Sequence, residues 1–363
     1  MKDIMEDINN KLGVIVCPGY SKSPIKNIGD YVQSYAALQF LPNGGTPVLI
    51  DRENVDKFQS NERVKTIMNG WWLGNPKNFP PTEAIHPLYV AFHLTPSAAN
   101  LFFSPETIAH LKKYQPIGCR DIQTVRLMKE RGIEAYYSAC LTLTLGKSFK
   151  HKLEDISKVC FVDPYYEKFL SKHIVPSILT TLRSLVASFL KFRTICKISK
   201  SMKSSSNRKY SRVKYFFIAG RFYTTYSPIF TDELLRNAEY EEHSVLKADY
   251  PTDEERLSVA KNLLQKYANA KFVVTSRIHC GLPCLGIGTP TIFISSERLL
   301  KTGRLSGLVD LFKKVYYKNG RCSINLTDLN LSKKIDENFA FENKKDFEPF
   351  AKDLEEKVTN FLN

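Results

Sequence analysis

The hydrophobic pattern of the first 145 residues alternates short apolar runs with amphipathic stretches, which is typical of a parallel sheet covered by helices. The apolar runs predict strands at 13–17, 47–50, 66–69, 88–92 and 117–119. Helical periodicity predicts helices at 30–41, from Ser104-Pro105 onward, and from Asp121 to Gly132. Asp30 and Asp121 are the predicted N-caps of the first and last of these helices.

A second alternating series is predicted from Lys214 onward. Its expected strands are KYFFIAG at 214–220, KFVVTS at 271–276, and 291–294. Helices are predicted after the capping-box pair Thr252 and Glu255, at 278–287, and over 342–362. The two series predict an α/β protein of two Rossmann-like domains, which a chain of 363 residues is long enough to form.

The predicted divisions of the chain are an N-terminal domain at 1–150, a basic insert or linker at 151–212, a C-terminal domain at 213–335, and a C-terminal helix at 336–363. We expect the last helix to pack on the first domain.

The segment between the two series is unusually basic, since residues 168–231 contain no Asp or Glu and hold most of the excess positive charge. Within it an apolar stripe recurs at helical spacing: Leu182, Leu185, Val186, Phe189 and Leu190. Arg183, Lys191 and Arg193 flank the stripe, and we predict that the segment from Lys172 contacts an anionic membrane surface. The alternative is that the stripe packs against its own domain and the charges are only solvated.

Composition narrows the choice of partner and compartment. A net charge of +15 and a pI near 9.3 favour an acidic partner such as a phosphorylated small molecule, an anionic membrane or nucleic acid. The eight cysteines form no CxxC pair, so we expect reduced thiols and no metal site. The polar N-terminus is unlike a secretory signal, and no apolar stretch approaches the roughly 20 residues of a membrane span. These features predict a cytoplasmic protein, either soluble or peripheral on the inner face of the membrane.

The strongest candidate for chemistry is the segment VVTSRIHCGL, where a buried strand runs into a helix. Arg277 and His279 lie at that junction, where α/β sheets bind ligands and a helix N-terminus favours phosphate. An arginine can bind an oxyanion with two hydrogen bonds, and a histidine transfers protons near neutral pH. The alternative is a histidine satisfied beneath a helix cap and a surface ion pair for the arginine.

Arg120 and Asp121 follow another strand, so Arg120 and His279 could meet across a cleft if the two sheets face each other. Asp121 also fits a simple helix cap, and Arg120 could be merely solvated. Asn27, Gly29 and Asp30 are further candidates for lining the cleft, or form an ordinary turn and cap, since the segment is neither a P-loop nor a GxGxxG motif. Lys301 could reach the same cleft or face solvent.

Four motifs in order resemble those of the polysaccharide pyruvyl transferase family: Asn27-Ile28-Gly29-Asp30, Gly118-Cys119-Arg120-Asp121, Tyr137-Ser138-Ala139-Cys140-Leu141, and Ser276-Arg277-Ile278-His279 followed by Gly288-Thr289-Pro290. The resemblance implies a GT-B-like pair of domains facing a cleft. It also implies transfer of the pyruvyl group of phosphoenolpyruvate onto a sugar as a cyclic ketal, in capsular or exopolysaccharide biosynthesis, on an acceptor expected to be linked to polyprenyl diphosphate. Phosphoenolpyruvate is then a co-substrate, and no cofactor is expected.

The resemblance gives His279 the role of acid and base, and makes Arg120, Arg277 and Lys301 ligands of phosphoenolpyruvate. The aromatic residue that usually precedes the lysine is missing here, so Arg298 or Arg304 could replace Lys301. Two other functions remain open, a sugar-nucleotide glycosyltransferase of the same fold and a non-catalytic membrane-associated scaffold. Nucleic-acid binding is disfavoured because the basic run lacks interleaved surface aromatics.

Overall fold

The computed structural model describes residues 11–19, 23–42, 45–72, 74–152, 158–167, 178–206, 210–301 and 303–363. The predicted α/β class is confirmed, since helices accompany three parallel sheets. A short antiparallel pair makes the fourth sheet. The first ten residues and the start of the basic segment, including Lys172, lie outside the described residues.

The N-terminal strands are β1 Lys11–Val16, β2 Ile25–Asn27, β3 Thr46–Asp51, β4 Val64–Ile67, β5 Gly70–Trp71, β6 Ile85–Leu88, β7 Phe92–His93, β8 Ile117–Cys119 and β9 Ala135–Tyr137. They form two parallel sheets in the orders β3-β1-β4-β6 and β5-β7-β8-β9. Backbone hydrogen bonds from Met68 to Leu88 and from Gly70 to Ala91 connect the two sheets. The predicted strand at 88–92 is therefore a bend between two strands.

The helices of this part are α1 Gly29–Leu38, α2 Pro96–Phe102, α3 Pro105–Lys113 and α4 Ile122–Lys129, with 3₁₀ turns at Arg52–Lys57 and Leu141–Lys147. Asp121 caps α4 as predicted, because its side chain accepts a hydrogen bond from the Thr124 amide. The predicted cap of α1 is wrong. Ile28 occupies the N-cap position, and Asn27 Oδ1 accepts from the Gly29 amide, which leaves Asp30 within the first turn.

The later strands are β10 Cys160–Val162, β11 Glu239–Glu241, β12 Ser244–Leu246, β13 Val273–Thr275, β14 Thr291–Ser296 and β15 Lys313–Tyr317. All except β12 form one parallel sheet in the order β11-β10-β13-β14-β15. The helices are α5 Ile178–Leu190, α6 Phe192–Ser204, α7 Arg212–Tyr226, α8 Asp232–Asn237, α9 Asp253–Asn269, α10 Ile278–Ile287, α11 Glu297–Leu300 and α12 Glu348–Leu362, with a 3₁₀ turn at Val309–Leu311. The capping box of Thr252 and Glu255 at α9 is confirmed.

The run KYFFIAG was expected to be a strand, and that prediction is wrong because the run lies within α7. Ser211 caps this helix through the Lys214 amide, and its apolar residues pack on the sheet at Phe161. A short, continuous apolar run suits a buried helix as well as a buried strand, so periodicity could not distinguish them. The second sheet begins instead with β10, which lies inside the range 151–212 predicted as an insert.

The early and late parts of the chain contact each other at several places. Strand β2 pairs antiparallel with β12, with Asn27 opposite Ser244. Helix α12 returns to the first sheet as predicted, where Lys65 Nζ donates to the Leu362 carbonyl at 2.7 Å and Leu354 enters the core. Among the described residues, no helix combines the length and apolar character needed to cross a membrane.

Candidate active site

Side chains at the carboxyl ends of parallel strands surround a pocket of about 450 Å³. Cys17 follows β1, Arg120 follows β8, and Ser276 follows β13, so both the early and the late sheets contribute to its lining. This edge of a parallel sheet is where α/β proteins bind ligands. The parallel strand order therefore brings residues far apart in sequence to one site.

The pocket is strongly basic. Among the described residues that line it are five cationic side chains: Lys26, Arg120, Lys247, Arg277 and Arg304. Asp30 is the one carboxylate among these lining residues, and His243 and His279 add two imidazoles. Such an excess of positive charge suits a small ligand that carries several negative charges.

His279 and Arg120 meet in the pocket, as the sequence predicted. Arg120 Nη1 lies 3.4 Å from His279 Nε2. A guanidinium can only donate hydrogen bonds, so Nε2 accepts, and the proton of the neutral ring is on Nδ1. Burial, followed by the charge of Arg120, holds the pKa of His279 well below its usual value. The imidazole is therefore neutral near pH 7 and able to accept a proton.

Gly29 allows the start of α1 to approach both imidazoles. A Cβ added at this position would lie 3.0 Å from His243 Cε1 and 3.1 Å from His279 Nδ1. Both distances are tighter than ordinary carbon contacts, so a side chain here would push against the rings. Gly29 was a candidate for lining the cleft. It is not among the residues that line the pocket, but it lies beside His243 and His279, which are.

The resemblance gives His279 the role of acid and base, and a shift of its ring by a fraction of an ångström would then misplace the group that transfers the proton. We therefore expect Gly29→Ala to lower kcat by roughly tenfold to 100-fold. Steady-state kinetics measure the loss, and thermal unfolding monitors stability. A variant with parental kcat would show that the rings tolerate the added methyl group and that their position is not critical.

Arg277 lines the pocket and also forms an ion pair. The two alternatives given for it, a residue of the ligand site and a partner in a surface ion pair, each describe part of its surroundings. Its Nε and Nη2 donate to Asp163 Oδ2 at 3.2 and 3.0 Å. The same carboxylate oxygen accepts from the His243 amide at 3.1 Å. Asp163 follows β10 directly, and it thereby fixes the Arg277 guanidinium at the rim of the pocket.

Arg120 is almost fully buried and rests on Asp121, with its Nε 3.9 Å from Asp121 Oδ2. The same oxygen lies 2.5 Å from His93 Nδ1. Burial and the charge of Arg120 lower the pKa of His93 to about 4, so the ring is neutral and donates to the carboxylate. Burial acts to raise the pKa of Asp121, but the hydrogen bond from His93 and the charge of Arg120 outweigh it and keep the carboxylate ionised. Asp121 thus lies behind Arg120 and does not line the pocket.

Sequence analysis missed four residues of the site: Lys26, His93, His243 and Lys247. Lys26 is nearly buried, and its Nζ donates to Cys17 Sγ at 3.1 Å. Burial and the charge of Arg277 lower the pKa of His243 to about 4. No local motif marks these residues. Lys26 and Lys247 reach the pocket through the pairing of β2 with β12, two strands that are far apart in sequence.

Lys301 does not line the pocket. Its side chain is exposed and lies 3.8 Å from Glu297 in the preceding turn. Arg304, one of its two predicted substitutes, lines the pocket and lies over the Trp71 ring at 5.1 Å. Asn27 and Asp30 are among the residues that line the pocket. In the part of the chain that the structure describes, no group of three or more His, Cys, Asp or Glu residues could hold a metal ion.

The family model described as polysaccharide pyruvyl transferase matches residues 27–298, which is most of the chain. The chain belongs to the polysaccharide pyruvyl transferase family. The matched range includes His279, Arg120 and Arg277 and the start of α1. Lys26 and Arg304, which also line the pocket, lie outside it. No curated protein and no solved structure matches the chain.

Proposed function

We propose that this family member transfers the pyruvyl group of phosphoenolpyruvate to two hydroxyls of one sugar, which forms a cyclic ketal and releases phosphate. The observation that carries the proposal is the contact of neutral His279 with Arg120 inside a strongly basic pocket. Phosphoenolpyruvate carries a phosphate and a carboxylate on a three-carbon unit, and these two anions match a pocket with several cations.

The donor anions have suitable partners from both parts of the chain. Arg120 comes from the early part of the chain, whereas Arg277 lies at the N-terminus of α10. A guanidinium can bind a carboxylate or phosphate with two parallel hydrogen bonds. Arg304, on the segment after α11, supplies a further cation in place of the predicted Lys301.

The chemistry requires one proton to move to carbon. The first sugar hydroxyl adds across the double bond of phosphoenolpyruvate: its oxygen bonds to C2, and its proton reaches C3 to complete the methyl group. The hydroxyl takes the place of Arg120 as the hydrogen-bond partner of His279 Nε2. The neutral ring then accepts the hydroxyl proton at Nε2 and passes a proton to C3. The second hydroxyl then bonds to C2 as the C2–O bond to phosphate breaks, and its proton leaves with the phosphate. The pocket cations stabilise the anionic groups throughout.

The acceptor in this proposal is a glycan of capsular or exopolysaccharide biosynthesis, attached to polyprenyl diphosphate at the inner face of the membrane. The family description supports a polysaccharide acceptor. A lipid-linked acceptor suits a chain whose excess positive charge comes mostly from one segment without Asp or Glu, since that segment favours an anionic surface.

The test combines donor binding with product analysis. Phosphoenolpyruvate should raise the melting temperature, whereas nucleotide sugars should not, and phosphate release should require both donor and glycan. Mass spectrometry of a lipid-linked oligosaccharide panel should show the added mass of a pyruvyl ketal. Stabilisation by nucleotide sugars alone would favour a glycosyltransferase, and phosphate release without a glycan would contradict ketal formation.

The pH profile provides a separate prediction. His279 has a lowered pKa, so the neutral base is present at neutral pH, and kcat/KM should fall only as the pH drops well below 6.5. Arg120→Gln removes a positive charge that lowers this pKa, so the acidic limb should move to higher pH. Arg63→Gln, an exposed arginine that does not line the pocket, should leave the limb in place. An unchanged limb in Arg120→Gln would show that another group controls it.

A further inference from the structure

Helix α5 buries its small polar residues and exposes its large apolar ones, which is the reverse of a normal surface helix. Its buried residues are Thr180, Ser184 and Ser188, which recur every four positions and form one stripe. The large apolar residues of the same helix face outward. A surface helix normally buries its apolar stripe against the protein, so this orientation calls for a medium other than water on the outer side.

Specific contacts fix that orientation. Arg221 of α7 is buried, and its Nη1 donates to the Thr180 carbonyl at 3.1 Å. Ser188 sits against Gly220 so closely that a Cβ there would lie 2.4 Å from the Ser188 hydroxyl oxygen. Larger side chains could not occupy this seam, so rotation of α5 to bury its leucines would require the helix to move away from α7.

The exposed residues form a continuous set that we name the α5 face: Ile178, Leu179, Leu182, Leu185, Val186, Phe189 and Leu190. Phe189 is 89% exposed and Leu190 is 76% exposed. Phe192 at the start of α6 is also exposed. The prediction that the stripe packs on its own domain is therefore wrong for the described residues. Apolar patches of this kind mark interaction sites with membranes or with other proteins.

The charge around the α5 face indicates whether a second copy of the chain or a lipid surface binds there. Exposed basic residues accompany it at Arg183 and Arg193, and also at Lys191, whose Nζ donates to Asp232 Oδ2 of α8 at 2.8 Å. Helices α5, α6 and α7 carry no Asp or Glu. A second copy of this chain would bring the same positive charges against each other, which opposes self-association. An anionic lipid surface matches both the apolar face and its basic surroundings.

We propose that the α5 face docks this protein on an anionic lipid bilayer. The helix lies parallel to the surface, with Phe189 and Leu190 among the headgroups and upper acyl chains, while Arg183 and Arg193 reach lipid phosphates. The contact is peripheral and reversible, and it stands on the surface itself whether or not the proposed reaction is correct.

Sedimentation with vesicles tests the apolar part of this contact. The full chain should sediment with phosphatidylcholine vesicles that contain phosphatidylglycerol, and binding should fall as salt rises. The double variant Phe189→Ser and Leu190→Ser should bind at least tenfold more weakly, because two exposed apolar side chains no longer enter the lipid. Leu101→Ser changes an equally apolar residue, 56% exposed on α2, and should bind as the parent does.

The charged part has its own matched pair. Arg183→Gln with Arg193→Gln should weaken binding to phosphatidylglycerol vesicles by roughly tenfold, whereas Lys352→Gln on α12 should not. Circular dichroism should show the same fold for all variants, since each changed side chain is exposed. Equal binding to neutral vesicles, or none at low salt, would overturn the proposal. So would a stable dimer that the Phe189 and Leu190 substitutions dissociate, because the face would then bind another protein surface.

Discussion

His279→Ala should lower kcat by roughly 100-fold to 10,000-fold, the usual contribution of a group that transfers a proton in the transition state. In the proposed reaction the neutral ring accepts a proton at Nε2, and alanine offers no replacement. The assay is phosphate release at saturating phosphoenolpyruvate and glycan. Thermal unfolding should show an intact fold, because the side chain lies at the pocket and is only partly buried.

A control variant at another histidine distinguishes loss of a catalytic group from a general effect of removing an imidazole. His86→Ala changes a partly buried ring that packs against Phe361 of α12 and does not line the pocket. It should keep parental turnover, apart from a modest loss of stability. Near-parental activity in folded His279→Ala would remove this residue from the mechanism, and the search for the base would move to His243.

The second large effect concerns donor binding. Arg120→Lys and Arg277→Lys should each raise the Michaelis constant for phosphoenolpyruvate by about tenfold to 100-fold, because a charged hydrogen bond to the anion is lost. An ammonium keeps the charge but cannot bind an oxyanion with two parallel bonds. Arg120→Lys should have the larger effect, since the buried guanidinium also contacts His279 and Asp121.

The control for this pair is Arg236→Lys, at an exposed position on α8 outside the pocket, which should leave the Michaelis constant unchanged. Initial rates over a range of phosphoenolpyruvate concentrations decide the outcome. If both Arg120→Lys and Arg277→Lys keep the parental constant, the donor binds elsewhere, and the basic pocket serves another anion.

Local signals explain which parts of the fold could be predicted. The strands predicted at 13–17, 47–50 and 117–119, the cap at Asp121 and the capping box at Thr252 depend on neighbours in sequence, and the structure contains them. Strand β10, Cys160–Val162, was missed because the sequence analysis assigned the whole range 151–212 to an insert. The apolar stripe of α5 was visible in the sequence. Which way it faces depends on Gly220 and Arg221 of another helix, which no periodicity encodes.

In the candidate site, too, the residues marked by local sequence signals could be predicted and those positioned by long-range contacts could not. Arg120, Arg277 and His279 follow recognisable strands, so their position at one sheet edge could be predicted. His93, His243 and Lys26 reach the site through long-range contacts, such as the 2.5 Å contact of His93 with Asp121. For Lys301 the motif identified the right segment but the wrong residue. A motif does not determine which cation of a short segment points into the pocket, and here it is Arg304.

The junction of β2 with β12 has a consequence for how the molecule melts. One continuous apolar core contains Leu12 and Tyr31 from the early part of the chain together with Leu264 and Val273 from the late part. The ribbon of β2 and β12 adds a hydrogen-bonded link between them, and Leu354 of α12 closes the same core. The two series of strands therefore share part of their interior, although each also has an apolar core of its own, around Phe161 and Phe222 in the late part and around Phe92 and Ile117 in the early part. Because the pocket takes residues from both series, unfolding of either half should abolish it.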